Sequence, residues 1–177
     1  MDILLPIIKI DNPNLRKTSS LVRNIQDQKI QKLIDDLILT TIQNKGVGIA
    51  APQVDKQDRL FIVASRPNLR YPNAPSMEPI AIINPRIIKY SHEIVNGWEG
   101  CLSVPGVRGL VPRYKAIEVE YTDRYGLIKN LQMIDFVARI FQHEYDHLEG
   151  ILFIDRVQQD SDLISEEEYQ TKQVNSL

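Results

Sequence analysis

One helix-period segment constrains this chain more than any other. In MIDFVARIFQHEYDHLEG, residues 133–150, side chains repeat at three- and four-residue steps, the period of one helix face. Asp135, Arg139, Gln142, Asp146 and Glu149 form one stripe, expected to face water. Phe136, Ile140, His143 and His147 form a second, and Val137, Phe141, Glu144 and Leu148 run beside it. The helix should bury these two stripes, with Gly150 as its stop. Two imidazoles and a carboxylate therefore fall on a face that must pack against something.

The spacing is H-E-x-x-H. Histidines at i and i+4 stack one turn apart, close enough to share one divalent ion. Glu144 then points beside the ion, placed to take a proton from a water held there. The alternative is a pair of core histidines, each satisfied by a hydrogen bond. Leaving three buried polar groups unpaired would cost about 1–3 kcal/mol each, which weakens that alternative.

A catalytic ion wants a third protein ligand and an open position. No histidine follows His147, though the acids Glu149 and Glu166–Glu168 do. Upstream stands the one cysteine, in Asn96-Gly97-Trp98-Glu99-Gly100-Cys101-Leu102-Ser103-Val104-Pro105-Gly106. A lone cysteine is commonly a small buried hydrophobe. Cys101 gains weight because a ligand is missing and flanking glycines let backbone approach closely. As a thiolate beside two neutral imidazoles it would leave a divalent site at about +1. A third segment, Gly46-Val47-Gly48-Ile49-Ala50-Ala51-Pro52-Gln53, is a poor phosphate loop, lacking a third glycine and a Lys-Ser/Thr pair. It reads better as a tight backbone edge that pairs with an extended peptide, followed by an amide, Gln53, able to donate to a developing oxyanion.

Around these segments lies an ordinary soluble composition: 177 residues, 43% hydrophobic and 25% charged, with net charge -2. There is no basic excess to favour DNA or an anionic membrane. MDILLPIIKI is too short to span a bilayer and reads as a strand or extended arm that packs on the domain. One cysteine allows no internal disulfide and suits a reducing compartment. Residues 25–42 carry a helical pattern, ended by Asn44-Lys45-Gly46. Residues 59–65, 80–85, 86–91 and 116–121 read as strands, with a turn at Asp123–Gly126 closing a hairpin. Residues 66–79 hold four of the ten prolines and read as a surface insertion. Residues 160–177 read as a surface helix or frayed tail. Strands between two main helices, without regular βαβ alternation, predict one α+β domain over 1–177, its mixed or antiparallel sheets packed around the H-E-x-x-H helix.

The three segments together, Gly46–Gln53, Glu99–Ser103 and Gln142–Gly150, resemble the peptide deformylase family, whose pattern G-x-G-x-A-A-x-Q, E-G-C-L-S, Q-H-E-x-D-H-L-x-G they match complete and in order. The resemblance covers roughly residues 5–157. It implies a cytoplasmic enzyme, bacterial or organellar, that removes the N-formyl group from the initiator methionine of new polypeptides and releases formate. It assigns the ion to Cys101, His143 and His147, and proton transfer to Glu144. By the same matching, Gln53 and the Leu102 N–H hold the carbonyl oxygen. Val47 and Gly48 lie along the peptide, and Arg108 and Glu99 stand among the substrate-binding residues. Arg113 pairs with Glu99 and steadies the cysteine loop. A methionine side chain needs an apolar pocket, and Val47, Phe136 and Ile140 are candidates for its wall, the latter two lying one or two turns before His143 on its stripe. Family members use Fe²⁺ in the cell, and several accept Zn²⁺, Ni²⁺ or Co²⁺. Some reach the ribosome near its exit tunnel through a basic C-terminal helix, against which the acidic Glu166–Glu168 count. Asp135 stands where a glycine is common, and is expected at a solvated helix start.

Two other classes compete, besides an inactive or repurposed homologue, against which the three intact motifs count. A small metallopeptidase would share only H-E-x-x-H and would cleave unblocked peptides. A structural metal protein would need four ligands, and His92, in a polar turn, is the one histidine left over.

Overall fold

The computed structural model describes residues 2–68 and 70–174, with the side chains of residues 173 and 174 outside the described set. Three helices, α1 (Gln28–Gln43), α2 (Asp135–Leu148) and α3 (Glu166–Val174), accompany eight strands: β1 (Gly48–Ala50), β2 (Leu60–Val63), β3 (Ile80–Tyr90), β4 (Ile94–Cys101), β5 (Val104–Tyr114), β6 (Ala116–Thr122), β7 (Ile128–Ile134) and β8 (Leu163–Ser165). They form an antiparallel sheet in the order β1-β2-β3-β6-β7 and a second in the order β4-β5-β8. This is the α+β architecture expected from the pattern of elements.

Strand β2 shows why two helices are needed. Its side chains alternate across the sheet, yet all four are buried. Leu60 and Ile62 pack with Leu33, Ile34 and Leu37 of α1, whereas Phe61 and Val63 pack with Ala138, Ile140 and Phe141 of α2. Phe61 and Phe141 meet edge to face, 5.0 Å between centroids. A third cluster, Val104, Val111, Leu152 and Phe153, backs the second sheet next to Cys101. Helix α2 thus has the long sheet on one side and β4–β5 on another.

The segment before α1 is an extended arm, as its sequence suggests. Ile3 N donates to Asp36 Oδ1 at 2.8 Å, and Leu5 N to Thr40 Oγ1 at 3.0 Å. Further on it stitches two loops together. Ile8 N donates to Gln53 O and Ile10 N to Ser103 O, both at 2.9 Å, and Lys9 Nζ donates to Leu102 O at 2.9 Å.

Helix α1 ends at Gln43 with Asn44 as its cap, so the expected Asn44-Lys45-Gly46 stretch does stop it; Lys45 takes the left-handed position (φ 54°), and the bonds Lys45 N to Ile42 O and Gly46 N to Thr41 O close the last turn. Two expectations need correction. Residues 80–85 and 86–91 are not two strands. They form one, β3, kinked by a register shift between Ile83 and Arg86 where Asn84 takes φ 50°. Residues 160–174 take the surface-helix alternative, α3, rather than a frayed tail, and they are anchored: β8 pairs with β5, and Tyr169 of α3 is buried. Residues 175–177 lie outside the described set. Finally, the middle of the Asp135–Glu149 stripe does not face water, although Asp135 at its start does. Gln142 and Asp146 are buried, and the Arg139 side chain is only 12% exposed. The cause is long-range: β4 and β5 lie over this stripe and supply partners for its charges.

Candidate metal centre

Cys101 ends β4, where a hairpin with Leu102 and Ser103 at its tip pairs it with Val104. Helix α2 brings His143 and His147 one turn apart, ring centroids 5.1 Å from each other. Cys101 Sγ lies 3.3 Å from His147 Nε2, and one ligand atom from each of the three residues falls within 4.8 Å of the others. Metal–sulfur and metal–nitrogen bonds of about 2.0–2.3 Å put tetrahedral ligand atoms roughly 3.3–3.6 Å apart, so a small contraction around one ion suffices. Burial first, then the positive neighbours His143 and Arg113, holds the His147 imidazole well below its ordinary pKa. It is therefore neutral, as a ligand must be. His143 Nδ1 meets Glu99 Oε2 at 2.8 Å. Burial alone would lower the His143 imidazole, but its hydrogen bonds with Cys101 and Glu99 outweigh that and raise its pKa well above the ordinary value. With Nδ1–H held by Glu99, a bound ion would take the place of the Nε2 proton, in the outer-shell carboxylate arrangement common around bound metals. The donor set and its surroundings fit a divalent transition ion.

Glu99 is itself held on both oxygens. Arg113 donates to them at 2.9 and 3.0 Å, and Arg139 Nη1 donates to Oε1 at 2.8 Å. Burial alone would raise the Glu99 carboxyl, but the Arg113 charge and the hydrogen bonds from His143 and Arg113 outweigh it, leaving it well below the usual carboxylate range. Glu99 touches the cavity, yet its bonds make it an orienter of His143 rather than a free substrate contact.

Glu144 is in the opposite condition. It is buried, Oε2 has no hydrogen-bond partner, and burial raises its carboxyl to about 7. A carboxyl that titrates near neutrality and lines the same cavity as Cys101 and His143 is equipped to move a proton in either direction. Gly48 makes room for it: a Cβ on Gly48 would come within 2.6 Å of Glu144 Oε1. Gln53 Oε1 accepts from Ala50 N at 2.9 Å, while Nε2 donates to Ser103 Oγ at 3.2 Å and Cys101 Sγ at 3.4 Å. The amide's donors therefore point at the cluster.

One cavity joins these groups. Val47, Gly48, Gln53, Glu99, Cys101, Leu102, Phe136, Ile140, His143 and Glu144 all line it, so nearly every residue singled out from the sequence meets there. Strand β1 lies at the end of its sheet with one edge unpaired. Arg108 is the exception: it is fully buried behind the wall, bonded to Glu166 and Tyr71. His92 is exposed, as expected of a polar turn. Arg139 and the pair Arg70–Tyr71 complete the wall without having been singled out. An aromatic residue inside the proline-rich insertion was the one available signal for Tyr71. Asp135 is exposed at the start of α2 but takes φ 50°, which accounts for a glycine being common there. Gly150 closes the helix at φ 72°, where a Cβ would run into the Arg16 carbonyl.

The comparisons with known proteins agree with this geometry. A family model described as polypeptide deformylase matches residues 4–162. The chain is 66% identical over 167 residues to peptide deformylase 2 of Nostoc sp., covering 94% of this chain and 93% of that one. Peptide deformylase 2 of Shewanella oneidensis is 44% identical over 154 residues, 87% and 84% of the two chains. Among solved structures, the class I type b peptide deformylase of Acinetobacter baumannii bound to Met-Ala-Ser superposes with a TM-score of 0.87 at 42% identity, covering 89% of this chain and all of that one. The peptide deformylase of Thermotoga maritima gives 0.79 at 35% identity, covering 89% and 99%.

Proposed function

The chain belongs to the peptide deformylase family, and from that premise we propose that it hydrolyses the N-formyl group of the initiator methionine on new polypeptides, with residues 1–177 acting as one catalytic domain. The single observation that carries the site assignment is the convergence of Cys101, His143 and His147 beside an unpartnered Glu144 carboxylate.

In this reading Cys101, His143 and His147 hold one divalent ion, Fe²⁺ in the cell, with Zn²⁺, Ni²⁺ or Co²⁺ able to replace it. When bound, such an ion polarises the formyl carbonyl and lowers the pKa of water toward neutrality. Glu144 accepts the proton of the attacking water. The water oxygen bonds to the formyl carbon, and charge gathers on the former carbonyl oxygen. Gln53 Nε2, turning from its long contact with Cys101 Sγ, and the Leu102 N–H donate to that oxygen. Glu144 then returns the proton to the nitrogen as the C–N bond breaks, and formate and the free amino terminus leave. The peptide backbone pairs with the unpaired edge of β1 at Val47 and Gly48. Val47, Phe136 and Ile140 receive the methionine side chain. The Met-Ala-Ser ligand of the Acinetobacter baumannii enzyme has the sequence of a deformylated product, which supports this choice of substrate. Arg108 acts from behind the wall rather than on the substrate.

Among the described residues no helix is long and apolar enough to cross a membrane, and the relatives are bacterial, which supports a cytoplasmic enzyme. Its substrate arises on the ribosome, and action near the exit tunnel belongs to the same reading. A basic C-terminal helix is not the means, since α3 opens on Glu166, Glu167 and Glu168.

The test is anaerobic purification with metal quantification, followed by formate release from formyl-Met peptides and cleavage of unblocked ones. Formate release without internal cleavage is expected; the reverse would make this a peptidase. Cys101→Ser should weaken metal retention, and an unchanged metal content would remove Cys101 from the ligand set.

A further inference from the structure

The mechanism leaves one fully buried cation, Arg108 of β5, without a chemical task. Its guanidinium backs the cysteine loop closely: a Cβ on Gly100 would lie 3.0 Å from its Cζ. Glu166, the first residue of α3, takes two of its hydrogen bonds, Nε to Oε2 at 2.7 Å and Nη2 to Oε1 at 3.1 Å. A third donor, Nη1, reaches the Tyr71 hydroxyl at 3.1 Å. The same guanidinium lies 5.3 Å from the Tyr71 ring centre and 4.8 Å from that of Tyr169. Tyr71 in turn packs on Phe136 at 4.9 Å between centroids, and both rings line the catalytic cavity. A line of direct contacts therefore runs from a surface helix to the pocket wall: Glu166, Arg108, Tyr71, Phe136.

Tyr71 sits in the proline-rich insertion, whose described residues have no strand ladder to fix them. The backbone turn between Asn68 and Tyr71 sets its local bend. The direction of its ring depends on what touches it, Phe136 in front and Arg108 behind. A buried guanidinium stays in one place only while its charge is compensated. Glu166 supplies that compensation from a segment the chemistry does not otherwise use.

We propose that Glu166 is a positioning residue: by clamping Arg108 it holds Tyr71 against Phe136, and so sets how closely the cavity fits the apolar side chain of the substrate's first residue. The proposal rests on the deformylase reading. Residues 163–174 then form a brace for substrate selection.

The experiment compares kcat and KM for formyl-Met-Ala-Ser and formyl-Ala-Ala-Ser in the metal-loaded full chain, in Glu166→Ala, in Tyr71→Ala and in the double variant. Glu166→Ala should raise KM for the formyl-Met peptide and reduce the preference for formyl-Met over formyl-Ala about fivefold, with kcat changed less than about twofold. Tyr71→Ala should reduce the preference further, and adding Glu166→Ala to it should change nothing more, because the two residues act through one contact. Glu166→Gln keeps an acceptor and should retain part of the preference. Partial unfolding lowers the rates on both substrates alike and leaves their ratio untouched, so the ratio reads positioning alone. An unchanged ratio in Glu166→Ala, or additive losses in the double variant, overturns the proposal. Absence of formate from the formyl-Met peptide in the unaltered enzyme would overturn the underlying reading instead.

Discussion

Helix α2 carries polar side chains into the interior on two faces, and the faces are built to opposite rules. Toward β4 and β5, Arg139, Gln142 and Asp146 have their hydrogen-bonding groups met. Asp146 accepts from Arg113 at 2.6 Å and from Arg156 at 2.7 and 3.1 Å. Gln142 bonds to both the N–H and the carbonyl of Tyr114, and Arg139 reaches Glu99 and the carbonyls of Val95 and Val111. Toward β1, where Gly48 comes against it, Glu144 is buried with Oε2 unpartnered. A fully compensated buried charge fixes geometry, whereas an uncompensated one keeps capacity for a substrate, a proton or an ion. Arg113 joins the two faces: burial would lower its pKa, but Glu99 and Asp146 outweigh this and hold it above the ordinary arginine value.

Substitutions on each face should separate these roles. Glu144→Ala should reduce turnover up to ~10⁴-fold while metal content and unfolding midpoint stay near those of the parent. Hydrolysis at a near-normal rate would remove Glu144 from proton transfer. Across the helix, Arg113→Ala leaves Glu99 and Asp146 short of a partner and should cost about 3–5 kcal/mol of stability. Urea titration of the metal-loaded protein measures this, and an unshifted midpoint would end the claim that this face is structural. Gln53→Ala lies between the two cases. It should lower kcat about 10²-fold with a smaller change in KM, since the amide donates to charge that appears only in the transition state. A pure KM effect would make Gln53 a ground-state binder.

Much of the site could be read before any coordinates, because its chemistry is local in sequence. His143, Glu144 and His147 are set by helical spacing alone, and Cys101 and Gln53 by short glycine-flanked runs. What escaped was decided by partners distant in the chain. The three- and four-residue steps identified the stripe through Arg139, Gln142 and Asp146, but nothing in them showed that Arg113 and Glu99 would cover it. The docking of α3 depends on Glu166 meeting Arg108 across 58 positions, and the acidic run alone suggested a solvated end. Strand β3 runs through Pro85 because a register shift absorbs the missing N–H, a tertiary accommodation that propensity does not encode.

The stitch made by Ile8, Lys9 and Ile10 also bears on the order of assembly. These three residues are synthesised before either loop they tie down, and their partners at Gln53, Leu102 and Ser103 come from far along the polypeptide. Contacts so remote in sequence form slowly. The drawstring can tighten only after residue 103 has been made, so the oxyanion donors are locked into register late in the maturation of the nascent enzyme.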